Sequence, residues 1–253
     1  HLLQVSIWFK FNTKTPPLSN QKFRKALSLA INREELIKHV IQTNQTPATG
    51  PVPYTVKPNI TPFFKDADLE QAQLLFKESL KELNLTPSQL PSITLSYNTG
   101  NDHQTLVQAI QQQWFKTLGV KIDLQNSEWK VHLGNMSQKN YQIGRLSWLG
   151  DFQDPIAFLD QFKYSDDATG GGNNDTNWED PQFISLLNQA SHTKNPEQRM
   201  QLLHEAEKLF TEAMPVIPLF YFNMSYVKKK YLKGAYITPL GKIELKYASI
   251  EKS

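Results

Sequence analysis

The sequence contains no cysteine. That excludes disulfides, thiolate zinc sites and cysteine nucleophiles, and it leaves the compartment open, because cysteine-free proteins occur in reducing and oxidising surroundings alike. No run approaches the ~18 consecutive apolar residues of a membrane helix. The start, His1-Leu2-Leu3-Gln4-Val5, lacks the basic, apolar and small-residue regions of a secretion signal, so the chain is expected to begin as a mature product or within a longer one. Charge of one sign is not concentrated either: the net charge is +3, and Lys228-Lys229-Lys230 is the one basic run. A nucleic-acid binder concentrates basic residues on one element and interleaves stacking aromatics, so no nucleic-acid partner is expected.

Motifs of catalysis are missing as well. The histidines (His1, His39, His103, His132, His192, His204) never recur at the three- or four-residue spacing that aims two ligands at one metal. His204-Glu205 begins like the zinc-protease helix, but Lys208 stands where its second histidine belongs. Gly170-Gly171-Gly172 lacks the Lys-Ser/Thr of a phosphate loop, and neither a Gly-x-Ser-x-Gly elbow nor a dinucleotide Gly-x-Gly-x-x-Gly occurs. Asp166-Asp167 reads as a solvated loop rather than an acid/base pair, whose members need burial to separate their pKa values. No catalytic residue, metal ligand or cofactor is assigned, and the expectation is a binder rather than an enzyme.

What is present is ordinary for a globular chain of 253 residues, 39% apolar and 20% charged. Val5 to Phe11 alternates as an aromatic strand ended by Pro16-Pro17. Asn20 caps a helix carrying Phe23, Ala26, Leu27 and Ala30, and Asn32 caps a second through Leu36, Ile37, Val40 and Ile41. Residues 46 to 63 are rich in proline and read as an extended crossing without regular structure. A helix follows Asp68, and then the element types alternate: a strand over 93–97, a helix capped by Asn101 or Asp102 and stopped by Gly119, and a strand over 120–124. A strand-helix-strand unit of this length favours parallel pairing, so an α/β layered domain is expected. A short helical piece after Trp129, a strand over 141–148, helices opened by Asp180-Pro181 and Asn195-Pro196, and an aromatic strand from Val216 complete the chain.

The segment Arg145-Leu-Ser-Trp148-Leu-Gly-Asp151-Phe-Gln-Asp154-Pro155 runs from strand into turn with a cation, an indole and two acids. An extended ligand could meet Asp151 with a cationic head and Trp148 with an apolar side chain. Asp154 precedes a proline and is assigned to the turn.

Phe11-Asn12-Thr13, Pro16-Pro17 and Phe23-Arg24-Lys25-Ala26-Leu27-Ser28-Leu29-Ala30-Ile31-Asn32-Arg33 resemble the FN, PP and VRxALxLAIDR signature of the solute-binding proteins of peptide ABC importers, the oligopeptide-binding members of family 5. Leu95 to Thr99, Ser127 to Lys130, the Arg145 to Pro155 segment, Asp180 to Phe183 and Ala213 to Leu219 follow in that family's order. The resemblance implies a type II periplasmic-binding-protein-like α/β fold whose two lobes close on an extended peptide. This chain then corresponds to the C-terminal half. Residues 1–12 are expected to be a crossover strand from a missing first lobe, 13–215 the second lobe and 216–253 a tail returning to the first, with both end strands lying in the other lobe's sheet.

Carried over residue by residue, the resemblance makes Asp151 the acid that receives the peptide α-amino group, the alternative being a solvated turn acid. Arg145 is a cation for ligand carboxylates or for orienting Asp151, the alternative a surface ion pair. His103 lies near the far end of longer peptides, or is a plain surface group. Trp129 and Trp148 are side-chain walls, with core packing the alternative for Trp129. Ser147 and Leu149 offer main-chain groups, and Tyr221, within Phe220 to Phe222, is a contributor from the tail. Met136 stands about where some members have a second arginine. The implied ligand is an oligopeptide, the implied partner an ABC importer permease, the state a monomer, and the place the periplasm or a lipid-anchored surface. A ligand-sensing domain of a transcription regulator, or a member binding a dipeptide, glutathione, a nickel chelate or haem, are the alternatives.

Overall fold

A computed structural model describes residues 2–57, 61–100, 102–164, 174–224, 226–238 and 240–251. Its spine is β1 (Leu2–Phe11), whose odd and even side chains enter two different cores. Ile7, Phe9 and Phe11 point to one face, Trp8 to the other, and all four are buried. A strand buried on both faces reads as a nearly continuous apolar run. Gln4, Ser6 and Lys10 interrupt that run on the second face and are buried too, the Lys10 ammonium 2.6 Å from Asp175.

On the first face lie α1 (Gln21–Leu29) and α2 (Arg33–Leu36), capped by the side chains of Asn20 and Asn32 as their sequences predict. The short strand β2 (Thr46–Pro47), α3 (Leu69–Leu83), β3 (Ile93–Asn98), α4 (His103–Leu118) and β4 (Ile122–Ser127) follow. Phe23, Phe76 and Trp114 fill this core with the odd residues of β1. The signature arginines are structural here: Arg24 donates to the carbonyls of Leu18, Ala213 and Met214, and Arg33 to Pro218 and the Asp66 carboxylate.

Next come α5 (Trp129–Ser137), β5 (Ile143–Leu149) and α6 (Ile156–Leu159), then α7 (Pro181–His192), α8 (Pro196–Ala213) and β6 (Val216–Asn223). Phe158, Phe183 and Phe210 pack with Trp8 on the second face. The sheet order is β2-β6-β1-β5-β3-β4. β3 and β4 pair in parallel across α4, as the strand-helix-strand pattern predicts, while β1 pairs antiparallel with both β5 and β6.

The structure corrects the expected placement of the end strands. β1 and β6 do not wait for a sheet supplied by another lobe; they form the middle of this one, with pairs from Leu2↔Asn223 to Lys10↔Val216. The physical reason is that β1 is buried on both faces, against this chain's own two cores. Only beyond Asn223 does the chain leave the sheet, in two small ladders: β7 (Leu232–Lys233) with β10 (Ser249–Ile250), and β8 (Tyr236–Ile237) with β9 (Ile243–Glu244). This tail exposes Val227 fully, and Tyr247 and Ile250 at 70% each. The glycine run 170–172, the acids Asp166 and Asp167, and the candidate cap Asn101 lie outside the described residues.

Candidate functional site

β5 is paired along its whole length on one side and only briefly on the other. Toward β1 the register runs from Val5↔Leu149 to Phe11↔Ile143, but toward β3 it stops after Leu95↔Ile143 and Ser96↔Gly144. Main-chain groups alternate in direction along a strand. The Gly150 N–H donates to the Gln4 carbonyl at 2.9 Å, so even-numbered residues of this segment face β1. Arg145 is odd-numbered, and its carbonyl accepts instead from His132 Nε2 at 2.8 Å. Ser147 and Leu149 therefore turn their N–H and C=O groups away from β1, where no described strand pairs with them. Both residues are exposed. The result is an open stretch of β5 edge where β3 parts from it.

A positively charged notch adjoins this edge. The Arg145 guanidinium is buried, with Nη1 3.3 Å from Asn98 Oδ1 and Nε without a partner. No described carboxylate lies within ion-pair distance of it, and burial pushes its pKa down to about 10. His103 opens α4 with Nδ1 2.9 Å from the Asn98 carbonyl, so Nδ1 carries the proton and Nε2 is left for other partners. Burial, and then the Arg145 charge, lowers the His103 pKa below its usual range. A buried cation lacking an acid is costly to the fold, and a carboxylate arriving from outside would relieve that cost.

The remaining predicted residues are spread around this edge. Asp151 is exposed in the turn just past β5 and has no partner among the described residues. Asp154 is committed to that turn, accepting from Arg199 at 2.6 and 3.0 Å and from the Ile156 N–H. Trp129 is 44% exposed at the start of α5 and stacks on His132 with ring centroids 6.3 Å apart. Trp148 faces the other side of the sheet from Arg145, half-buried against the second core, its indole N–H held by the Ala157 carbonyl at 2.8 Å. It is not a neighbour of the cationic notch.

Tyr221 is a correction. It is completely buried, donates to the Gly50 carbonyl at 3.0 Å and packs edge-on against Tyr54, so it has no surface for a ligand. Its place on β6, in the sheet's interior, is the reason. Phe220 is likewise in the core and Phe222 half-buried. Two residues of the site escaped the sequence reading, Asn98 and His132. The signal for His132 was its i, i+3 spacing from Trp129 and i, i+4 spacing to Met136 on α5, which puts all three on one face. Among the described residues no group of three His, Cys, Asp or Glu could hold a metal, and no helix is long and apolar enough to cross a membrane.

Comparison with known proteins agrees with this architecture. The chain is 42% identical over 245 residues to the oligopeptide-binding protein OppA of Bacillus subtilis, covering 95% of this chain and 44% of that protein. It is 34% identical to the dipeptide-binding protein DppE of the same organism, covering 97% and 45%. The solved structure of the Escherichia coli murein tripeptide binding protein MppA matches with a TM-score of 0.81 at 29% identity, covering 95% of this chain and 46% of that one. The chain thus spans less than half the length of the relatives it matches. The profile of the bacterial extracellular solute-binding proteins, family 5, matches residues 4–170, and the chain belongs to that family.

Proposed function

We propose that this chain forms one wall of a cleft that captures extended oligopeptides for an ABC importer. The observation that carries this reading is the open β5 edge at Ser147 and Leu149, with a free acid at one end and an uncompensated buried cation at the other. A peptide can add to such an edge through its backbone, which gives affinity without reading side chains. Asp151 receives the α-amino group, a charge-assisted bond of roughly 1.5–3 kcal/mol. Arg145, with His103 Nε2 beside it, receives the carboxylate. From Arg145 to Leu149 is four strand steps of about 3.3 Å, or roughly 13 Å, the length of a short extended peptide, with Asp151 in the turn just beyond. Trp129 and the exposed Leu149 side chain offer apolar surface to ligand side chains without demanding hydrogen bonds.

The names of the relatives support a peptide ligand, and the family supports delivery to a membrane permease by a secreted or lipid-anchored, non-enzymatic receptor. The opposite wall comes from the remainder of the longer protein. The exposed apolar tail beyond Asn223 is the surface that meets it, since exposing side chains such as Val227, Tyr247 and Ile250 is unfavourable in water.

Calorimetry on the full-length protein tests the reading. A free tetrapeptide should bind at least tenfold more tightly than its N-acetylated form and than its C-amidated form. Equal affinities for free and N-acetylated peptide would remove Asp151 from its role, and equal affinity for the amide would remove Arg145.

A further inference from the structure

We propose that His132 is the stop that ends the ligand strand on β5 and fixes its register, an inference that rests on the peptide-binding reading above. The odd-numbered residues Arg145, Ser147 and Leu149 all direct main-chain groups away from β1, so the bare edge would offer three positions to an incoming strand. His132 removes the first. Its Nε2–H donates to the Arg145 carbonyl at 2.8 Å, and the ring is 1% exposed, occupying the place where a ligand N–H would otherwise bind. A carbonyl can only accept, so the tautomer with hydrogen on Nε2 is fixed by this contact.

The stop is held rigidly. Trp129 stacks on the outer face of the imidazole at an interplanar angle of 30°. One turn further along α5, Met136 is buried against Gly144, so closely that a Cβ at Gly144 would collide with its sulfur. The helix is therefore seated along β5 from Gly144 to Arg145. Pairing is confined to Ser147 and Leu149, which serve a backbone stretch of about four ligand residues. Beyond Ser147 the ligand must leave the edge, at the level where the Arg145 side chain turns toward Asn98. The same hydrogen bond that ends the ladder thus fixes the backbone from which Arg145 projects. His132 is a positioning residue in this scheme, and what it must supply is an N–H donor, not a charge.

The experiment is a calorimetric length series on the full-length protein, using unblocked lysine–alanine peptides from dipeptide to octapeptide. Wild-type affinity should peak at a short length and drop for hexa- to octapeptides. His132→Phe keeps the ring volume and loses the donor, and should shrink that drop by tenfold or more. His132→Gln restores an N–H and should return the wild-type profile. A His132→Phe protein with the wild-type profile, or a His132→Gln protein matching His132→Phe, overturns the proposal. If wild type binds none of the peptides, the function reading fails first, which is a separate outcome. Should His132→Phe not fold, the ¹⁵N resonances of the wild-type ring decide: Nε2 stays protonated and hydrogen-bonded at saturating tripeptide if the stop holds, and its release on binding overturns it.

Discussion

Arg145 carries a buried charge that the fold does not use. Replacing it by methionine keeps much of the packing and removes an ion whose desolvation is not repaid by any acid among the described residues. Arg145→Met should therefore be more stable by roughly 0.5–2 kcal/mol in urea unfolding, while full-length protein carrying it loses its preference for free over amidated carboxyl ends. A loss of stability would mean the guanidinium is structural. Asp151→Asn makes the opposite pairing of effects: unfolding unchanged, because the side chain is an exposed turn acid, and free-amine peptides weakened about tenfold or more. At this scale the sequence assigned Asp154 to the turn, where it accepts from the Ile156 N–H and from Arg199, because a proline after an acid marks a turn former. It grouped Trp148 with Arg145 in one segment, although their odd spacing along a strand puts them on opposite faces of the sheet. Nor could it show Tyr221 as core, since an aromatic strand reads the same whether it lies at a sheet's edge or in its middle.

Among the elements, the proline-rich stretch from Thr46 to Lys57 is bound to α8 by a buried pair. Lys57 Nζ lies 2.8 Å from Glu207 Oε1, both side chains are almost wholly enclosed, and the same carboxylate accepts the Val52 N–H. Burial pushes Glu207 up and Lys57 down, each opposed by the other's charge. Breaking such a pair leaves an uncompensated ion, so Glu207→Ala should cost about 3–5 kcal/mol in unfolding. The double variant Lys57→Met with Glu207→Leu should cost far less, and equal costs would show the pair to be incidental. The helices were legible from their caps and apolar periodicity, down to Asn20, Asn32, Asp180 and Asn195. The parallel β3–β4 pair followed from the length of its crossover. The partners of β1 and β6 did not, because periodicity gives a strand's faces and never its neighbours. Within the stretch 46–63, read as irregular, Thr46–Pro47 instead pairs with β6 as β2, while the other described residues form neither helix nor strand, and its anchor is a lysine and a glutamate 150 residues apart, which no local pattern reveals.

For the molecule as a whole, burial lowers the pKa of His103, His132 and His204 below the ordinary 6.5. The unfolded chain then binds more protons than the folded one below that pH, so these histidines contribute stability above about 6.5 that is lost as pH falls toward their folded values. The melting temperature should fall between pH 7.5 and 5.5, and His132→Phe should flatten that fall; a rise on acidification would contradict the burial assigned to these rings. On the proposed reading this chain holds one wall of the cleft, so by itself it should bind peptides far more weakly than the full-length protein. The central claim is that the open edge of β5 receives the ligand backbone, and amide hydrogen exchange in the full-length protein tests it most directly. On adding saturating free tetrapeptide, the amides of Ser147 and Leu149 should slow by tenfold or more, while Leu146 and Trp148, already bonded toward β1, change little. Tight peptide binding with no added protection at Ser147 and Leu149 would contradict the account.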